Sequence, residues 1–162
     1  MKHIWAPWRL DYVLGPKEKE CIFCCKPKQD RNRDGENLIL YRGELNFIIL
    51  NLYPYNNGHL MVTPYKHTSD ITDLTPEEIL EMGVLMIKSV EILKERFKPQ
   101  GFNTGMNLGS IAGAGIEEHI HMHVVPRWSG DTNFMPVIGD TRVLPQFIGD
   151  TYNALAERFA GL

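Results

Sequence analysis

Apolar and polar positions along the chain alternate in three distinct rhythms, and each predicts a different element. Short β-branched and aromatic runs at Leu38–Tyr41, Phe47–Leu52 and His59–Thr63 predict strands. Between the last two, Pro54-Tyr55-Asn56-Asn57-Gly58 has turn chemistry, since Asn-Gly tolerates positive φ, so residues 47–63 are expected to form a hairpin. Thr75-Pro76-Glu77-Glu78 predicts a helix start: Thr75 as N-cap, Pro76 in the first turn, Glu78 completing a capping box. Ile79, Met82, Met86, Val90, Leu93 and Phe97 follow at helical spacing as the expected buried stripe, and Pro99-Gln100-Gly101 ends it. Phe102–Leu108 and His119–Val125 return to strand rhythm, the latter closed by Pro126, with a small-residue loop at 109–115 between them. Val143–Phe159 predicts a second amphipathic helix or pair of turns, with Phe147, Tyr152, Leu155 and Phe159 on its apolar side. Residues 1–20 are expected to be an extended arm whose Trp5, Trp8 and Tyr12 pack on the domain or on a second subunit. Cys21–Cys25 is expected to form a knuckle, and Lys26–Glu36 an exposed loop. Strands around one long helix, without repeat or linker, predict a single α+β domain over 1–162 with its core at 38–128 and an antiparallel sheet.

Composition narrows the function more than the fold. With 43% hydrophobic and 23% charged residues, the 162-residue chain is ordinary for one globular domain. Its net charge of -3 and its lack of a basic run argue against nucleic acid as a partner. No apolar stretch reaches the roughly 20 residues of a membrane span, and the first residues lack a secretory h-region, so a cytoplasmic protein is expected.

The chemistry concentrates in His119-Ile120-His121-Met122-His123. In a strand these three histidines would share one face, with Ile120, Met122 and Val124 packing on the other. Such a row can bind a metal, attack phosphorus or shuttle protons near neutral pH. Glycines 109, 113 and 115 precede it, and consecutive amides in such a loop form an anion-binding nest. A phosphate held there would lie beside His121, whose unprotonated nitrogen could form a phosphorus–nitrogen bond without a divalent cation. Cys21 and Cys24 have the spacing of half a zinc site; a redox pair or buried thiols are the alternatives.

His119-x-His121-x-His123-Val124-Val125 resembles the motif of the histidine-triad (HIT) superfamily of nucleotide hydrolases and transferases. Asn51 to Pro64, as Asn-x-x-Pro-x-x-x-Gly-His-Leu-Met-Val-x-Pro, resembles that family's nucleotide-binding hairpin. Trp5-Ala6-Pro7-Trp8-Arg9, Asn107-Leu108-Gly109, Ala112-Gly113-Ala114-Gly115 and Val125-Pro126-Arg127-Trp128, with Gly130-Asp131 and Asn133-Phe134, look like the branch containing diadenosine tetraphosphate phosphorylases. The resemblance implies a HIT-like fold with about five antiparallel strands, one long helix and a C-terminal helix. It implies His121 as the nucleophile that takes up a nucleoside monophosphate, and His123 as a catalytic residue that binds and polarises phosphate. It implies Asn51 on the ribose, and Asn107 with Gly113, Ala114 and Gly115 on phosphate. It also implies a homodimer. Zinc-containing relatives imply a structural zinc, with no organic cofactor, on Cys21, Cys24, His67 and His119; a solvent-facing loop residue is the plain alternative for His67. Where several members carry a polar Ser, Thr or Gln just before the triad, this chain has Ala114-Gly115-Ile116-Glu117-Glu118, so leaving-group handling is expected to differ, with Ser110 as a substitute. The expected activity is cleavage of dinucleoside polyphosphates with phosphate or water as acceptor. Hydrolysis of a nucleoside phosphoramidate, or nucleotide binding with little turnover, are the alternatives. Phe47, Ile49 and Leu50 are candidates for a base pocket.

Overall fold

A computed structural model describes residues 20–113, 115–131 and 146–162. The N-terminal arm with Trp5, Trp8 and Tyr12, the loop residue Ala114, the Asn133-Phe134 segment and the start of the Val143–Phe159 stretch lie outside the described residues. Five antiparallel strands form one sheet in the order β1-β2-β3-β5-β4: β1 Ile39–Arg42, β2 Asn46–Leu50, β3 Leu60–Pro64, β4 Gly101–Met106 and β5 Met122–Arg127. Two long helices, α1 (Pro76–Phe97) and α2 (Ile148–Phe159), complete an α+β architecture.

The 47–63 hairpin is present as β2 and β3, in register from Asn46–Pro64 to Leu50–Leu60. Its Gly58 has φ of 74°, and a Cβ there would meet Leu93 and Phe97 of α1 at 3.1–3.3 Å, so the turn needs glycine both for its backbone and for its packing. The α1 capping box forms as predicted: Glu78 N donates to Thr75 Oγ1, and Thr75 N to Glu78 Oε2 at 2.7 Å. The buried stripe is broader than the expected one. Met82 and Leu93 are buried and Met86, Val90 and Phe97 pack against the core as predicted; Leu85, Ser89 and Ile92 widen the core face, while Ile79 is exposed.

Three further expectations are corrected. The last strand begins at Met122 and runs through Pro126 to Arg127, not from His119 to Val125. Proline is tolerated there because β3 pairs with β5 only as far as Leu60–Val124, and the Pro126 carbonyl accepts from the Asn56 side chain instead. The polar 26–36 segment is a run of helical turns, at Lys26–Lys28, Arg31–Arg33 and Asp34–Asn37, rather than an open loop. Arg42 of β1 anchors it, pairing with Asp34 at 2.7 Å and donating to the carbonyls of Pro27 and Gln29. In α2, Leu155 and Phe159 are buried and Tyr152 donates to the Ile39 carbonyl, but Phe147 precedes the helix and is 85% exposed.

The β1–β2 connection is tied down from α1. Glu81 accepts from the backbone amides of Glu44, Leu45 and Asn46 at 2.7–2.8 Å, and from the Asn46 side chain at 2.9 Å. Burial opposes its charge, yet the Asn46 side chain and those three amides hold the carboxyl below the ordinary carboxylate range.

Candidate active site and metal centre

The sheet has two unlike faces. Leu60 and Val124, paired across β3 and β5, are fully buried on the side that α1 covers. The next pair, Met61–His123, points the other way. On its far side His123 pairs with Gly105 of β4, where a Cβ would meet nothing within 4 Å. The third histidine therefore stands on the face opposite α1 with open space beside it. Ile120 and Val124 are buried in the core as the alternation predicts.

His119 and His121 precede the ladder and are held by other means. Ile120 N donates to the Thr68 carbonyl at 2.8 Å, and Thr63 Oγ1 donates to the Ile120 carbonyl. The Phe23 ring packs against both imidazoles, with centroids 5.3 and 5.1 Å away. Backbone carbonyls then place the protons. His119 Nε2 donates to the Pro64 carbonyl at 2.9 Å, which leaves Nδ1 as a bare lone pair. His121 Nδ1 donates to the His119 carbonyl at 3.0 Å, which leaves Nε2 bare. Burial pushes all three triad histidines below their ordinary value, His119 and His123 to about 4, so neutral imidazole is the resting form.

The bare Nδ1 of His119 faces a cluster of metal-ligating groups. Cys21 Sγ lies 3.3 Å from it, Cys24 Sγ 3.6 Å and His67 Nδ1 3.3 Å; Cys24 Sγ and His67 Nδ1 are also 3.3 Å apart. All four ligand atoms fall within 4.8 Å of one another. A tetrahedral ion with metal–sulfur bonds of about 2.3 Å and metal–nitrogen bonds of about 2.0 Å would separate its ligand atoms by roughly 3.3–3.8 Å. The spacing fits, so the cluster could hold a metal. Exposed His67 turns its Nδ1 into this cluster, unlike a residue facing only solvent. The third cysteine stands aside, Cys25 donating to Glu20 at 3.0 Å.

The phosphate-loop residues are placed more loosely. Asn107 follows β4, one residue past the Met106–Met122 pair. A 3-10 turn at Ser110–Ala112 follows, flanked by Gly109 and Gly113 with φ of 83° and 84°, and Gly115 lies beyond, all exposed. Phe47 and Ile49 are buried in the core, Phe47 stacked on Tyr65, and so offer no wall to a base; Leu50, though buried, lines a cavity with Asn51, Leu52 and Pro54. A second aromatic, Tyr55, stands beside the histidines, its ring centroid 4.7 Å from His59 and 5.8 Å from His123.

His59, present in the Asn51–Pro64 motif but given no role from the sequence, lies beside the triad. It is fully buried, and its Nε2 lies 2.9 Å from His123 Nδ1. Asn51, expected on the ribose, has its Nδ2 3.3 Å from His59 Nδ1, and its Oδ1 accepts from Tyr53 N. The available signal was register: Asn51 and His59 face each other across the end of the β2–β3 hairpin, the Asn51 amide donating to the His59 carbonyl.

Three alternating histidines, the Asn51–Pro64 hairpin and this sheet together define a histidine-triad protein. The HIT domain family model matches residues 32–130, and the chain belongs to that family. It is 41% identical to an AP-4-A phosphorylase of Mycobacterium tuberculosis (strain ATCC 25618 / H37Rv), over 99% of this chain and 85% of the relative. It is 30% identical to a bis(5'-nucleosyl)-tetraphosphatase [asymmetrical] of Schizosaccharomyces pombe, over 57% of this chain and 50% of that one. A Zn-bound histidine triad family protein from Mycobacterium smegmatis superposes with a TM-score of 0.67 at 28% identity, covering 88% of this chain and 94% of the other.

Proposed function

We propose that this chain cleaves dinucleoside polyphosphates by transferring a nucleotidyl group through His121. The observation that carries the mechanism is the His121 tautomer: with Nδ1–H committed to the His119 carbonyl, the only lone pair is on Nε2. That pair attacks the α-phosphorus and forms an N–P bond. The bridging P–O bond breaks, and its electron pair leaves on the nucleoside polyphosphate. Nδ1–H stays on the His119 carbonyl, which stabilises the ring's positive charge. In the second step an oxygen of inorganic phosphate attacks, the N–P bond breaks, and a nucleoside diphosphate departs with His121 restored. Water in that role would give a nucleoside monophosphate. The full-length similarity to an AP-4-A phosphorylase supports phosphate as the acceptor. His123 polarises the phosphoryl oxygens, Asn107 and Gly113–Gly115 contact phosphate, and Asn51 has donor capacity left for a ribose hydroxyl.

Zinc is the metal that suits Cys21, Cys24, His67 and His119. Two thiolates and two imidazoles close its tetrahedron and leave no open position, so its role is structural. It would hold His119, whose carbonyl orients the nucleophile. Three free cysteines suit a reducing compartment, which supports a cytoplasmic location; among the described residues no helix is long and apolar enough to cross a membrane. A homodimer is supported by Leu80, Val84 and Ile87, which lie at helical spacing on the outer face of α1 and are 69%, 46% and 53% exposed. Among the described residues no strand pairs with the outer edge of β4, where Asn103, Thr104 and Gly105 are exposed.

Product analysis with diadenosine tetraphosphate tests the reading. ADP and ATP formed only in the presence of phosphate are expected, and His121→Asn should lower kcat by about 10³-fold or more. AMP and ATP without phosphate would make water the acceptor. No turnover in either condition would overturn the reading in favour of a phosphoramidate substrate or simple nucleotide binding.

A further inference from the structure

His123 ends a chain of hydrogen bonds whose direction can be followed atom by atom. It begins at two backbone amides. Tyr53 N donates to Asn51 Oδ1 at 2.9 Å, which turns the Asn51 NH2 toward His59 Nδ1. Tyr55 N donates to that same Nδ1 at 3.1 Å. A backbone N–H can only donate, so His59 Nδ1 is an acceptor and its ring proton sits on Nε2. His59 Nε2–H then donates to His123 Nδ1 at 2.9 Å. His123 is thereby left with its own proton on Nε2, and that nitrogen is a buried atom without a hydrogen-bond partner among the described residues.

We propose that His59 is a positioning residue for nucleotidyl transfer, locking His123 in the tautomer that presents Nε2–H to a phosphoryl oxygen. The inference rests on the reading of His121 as nucleophile, and it adds a direction to the bond that His123 makes. The His121 and His123 rings are 4.7 Å apart at an interplanar angle of 78°. The pair therefore presents one bare nitrogen on His121 and one N–H on His123. A phosphoryl group between them needs a lone pair at phosphorus and a donor at a non-bridging oxygen. The opposite His123 tautomer would place a second lone pair against an anionic oxygen, which is repulsive. Burial supports the lock. His59 is fully buried and the Tyr55 ring packs against both imidazoles, so the bond between them is half-buried. A buried donor at His123 without an acceptor is unfavourable in the free protein, a penalty that a bound phosphate removes.

The test combines nitrogen-15 histidine NMR of the ligand-free protein with steady-state kinetics on diadenosine tetraphosphate. In the wild type, the His123 ring, assigned by its loss in His123→Asn, should show protonated Nε2 and bare Nδ1. In His59→Leu the His123 signals should move to a tautomer mixture, and kcat should fall about 100-fold with KM changed less than about threefold. In His59→Gln, whose side-chain amide can supply the missing donor, both the tautomer and most of kcat should return. A wild-type His123 protonated on Nδ1 would overturn the proposal even if the variants fail to fold. So would a His59→Leu protein with unchanged tautomer or unchanged kcat. The NMR arm needs no turnover, so it stands apart from the choice of substrate; loss of all activity in the wild type would overturn the transfer reading instead.

Discussion

A neutral imidazole carries one proton, and its position decides what the ring can do. In this protein the Pro64 carbonyl takes the Nε2 proton of His119 and leaves a lone pair on Nδ1, and the His119 carbonyl takes the Nδ1 proton of His121 and leaves a lone pair on Nε2. The same burial that keeps these rings neutral has a thermodynamic consequence at His123. Its pKa is lowered to about 4 by burial and by the neighbouring His121, while an unfolded histidine titrates near 6.5. Between those values the unfolded chain binds the extra proton. The contribution of this site to stability is therefore complete above about pH 6.5 and is lost as pH falls toward 4. Thermal unfolding of the wild type should show a falling Tm across that window, and His123→Asn should flatten the slope. An equally steep slope in the variant would contradict the assignment. The histidine spacing made His121 and His123 legible from the sequence. His59 was legible only as a position in the Asn51–Pro64 motif, because its 2.9 Å contact with His123 joins residues 64 apart in the chain.

At the scale of elements, charge and packing settle what periodicity left open. The expected α1 stripe packs on the core except at Ile79, and the helix adds Leu85 and Ser89 to the buried face. Ser89 can be fully buried because its hydroxyl donates to the Leu85 carbonyl at 2.8 Å. Glu81 on the same helix ties down the β1–β2 connection through three backbone amides and the Asn46 side chain. Glu81→Ala should destabilise the fold by about 2 kcal/mol or more, because those donors lose a charged acceptor. Urea unfolding measures this, and a change below about 0.5 kcal/mol would show that water replaces the carboxylate. The capping box and the turn glycine were legible because each is a local device spanning a few residues. The start of β5 was not, because alternation continues through His119 while the β3 ladder begins only at Met122.

At the scale of the whole molecule, two assemblies are open to direct test. Elemental analysis should find one zinc per chain. Chelation should lower stability by at least about 2 kcal/mol, a Tm decrease of roughly 4–8 °C. Cys24→Ser should reproduce the effect while Cys25→Ser, outside the cluster, should not. Metal-free protein of unchanged Tm would remove zinc from the structure. For the dimer, light scattering should give twice the 18.6 kDa chain mass, and Leu80→Glu should shift it toward the monomer by placing a charge on the exposed apolar face of α1.

What the sequence alone determined was chemistry at short range: the alternating histidines, the paired cysteines, the helix cap and the hairpin turn, each a pattern within one element. It also carried the α+β class, since that follows from the order of strand and helix rhythms. Tertiary structure decided everything that depends on distance between segments. It brought Cys21, Cys24, His67 and His119 within 4.8 Å although 98 residues separate the first from the last. It widened the buried face of α1, put Phe47 and Ile49 into the core, and set His59 against His123. The physical reason is the same in each case. Residue type sets what a side chain can donate, accept or coordinate, whereas burial and partner geometry set which of those capacities is used.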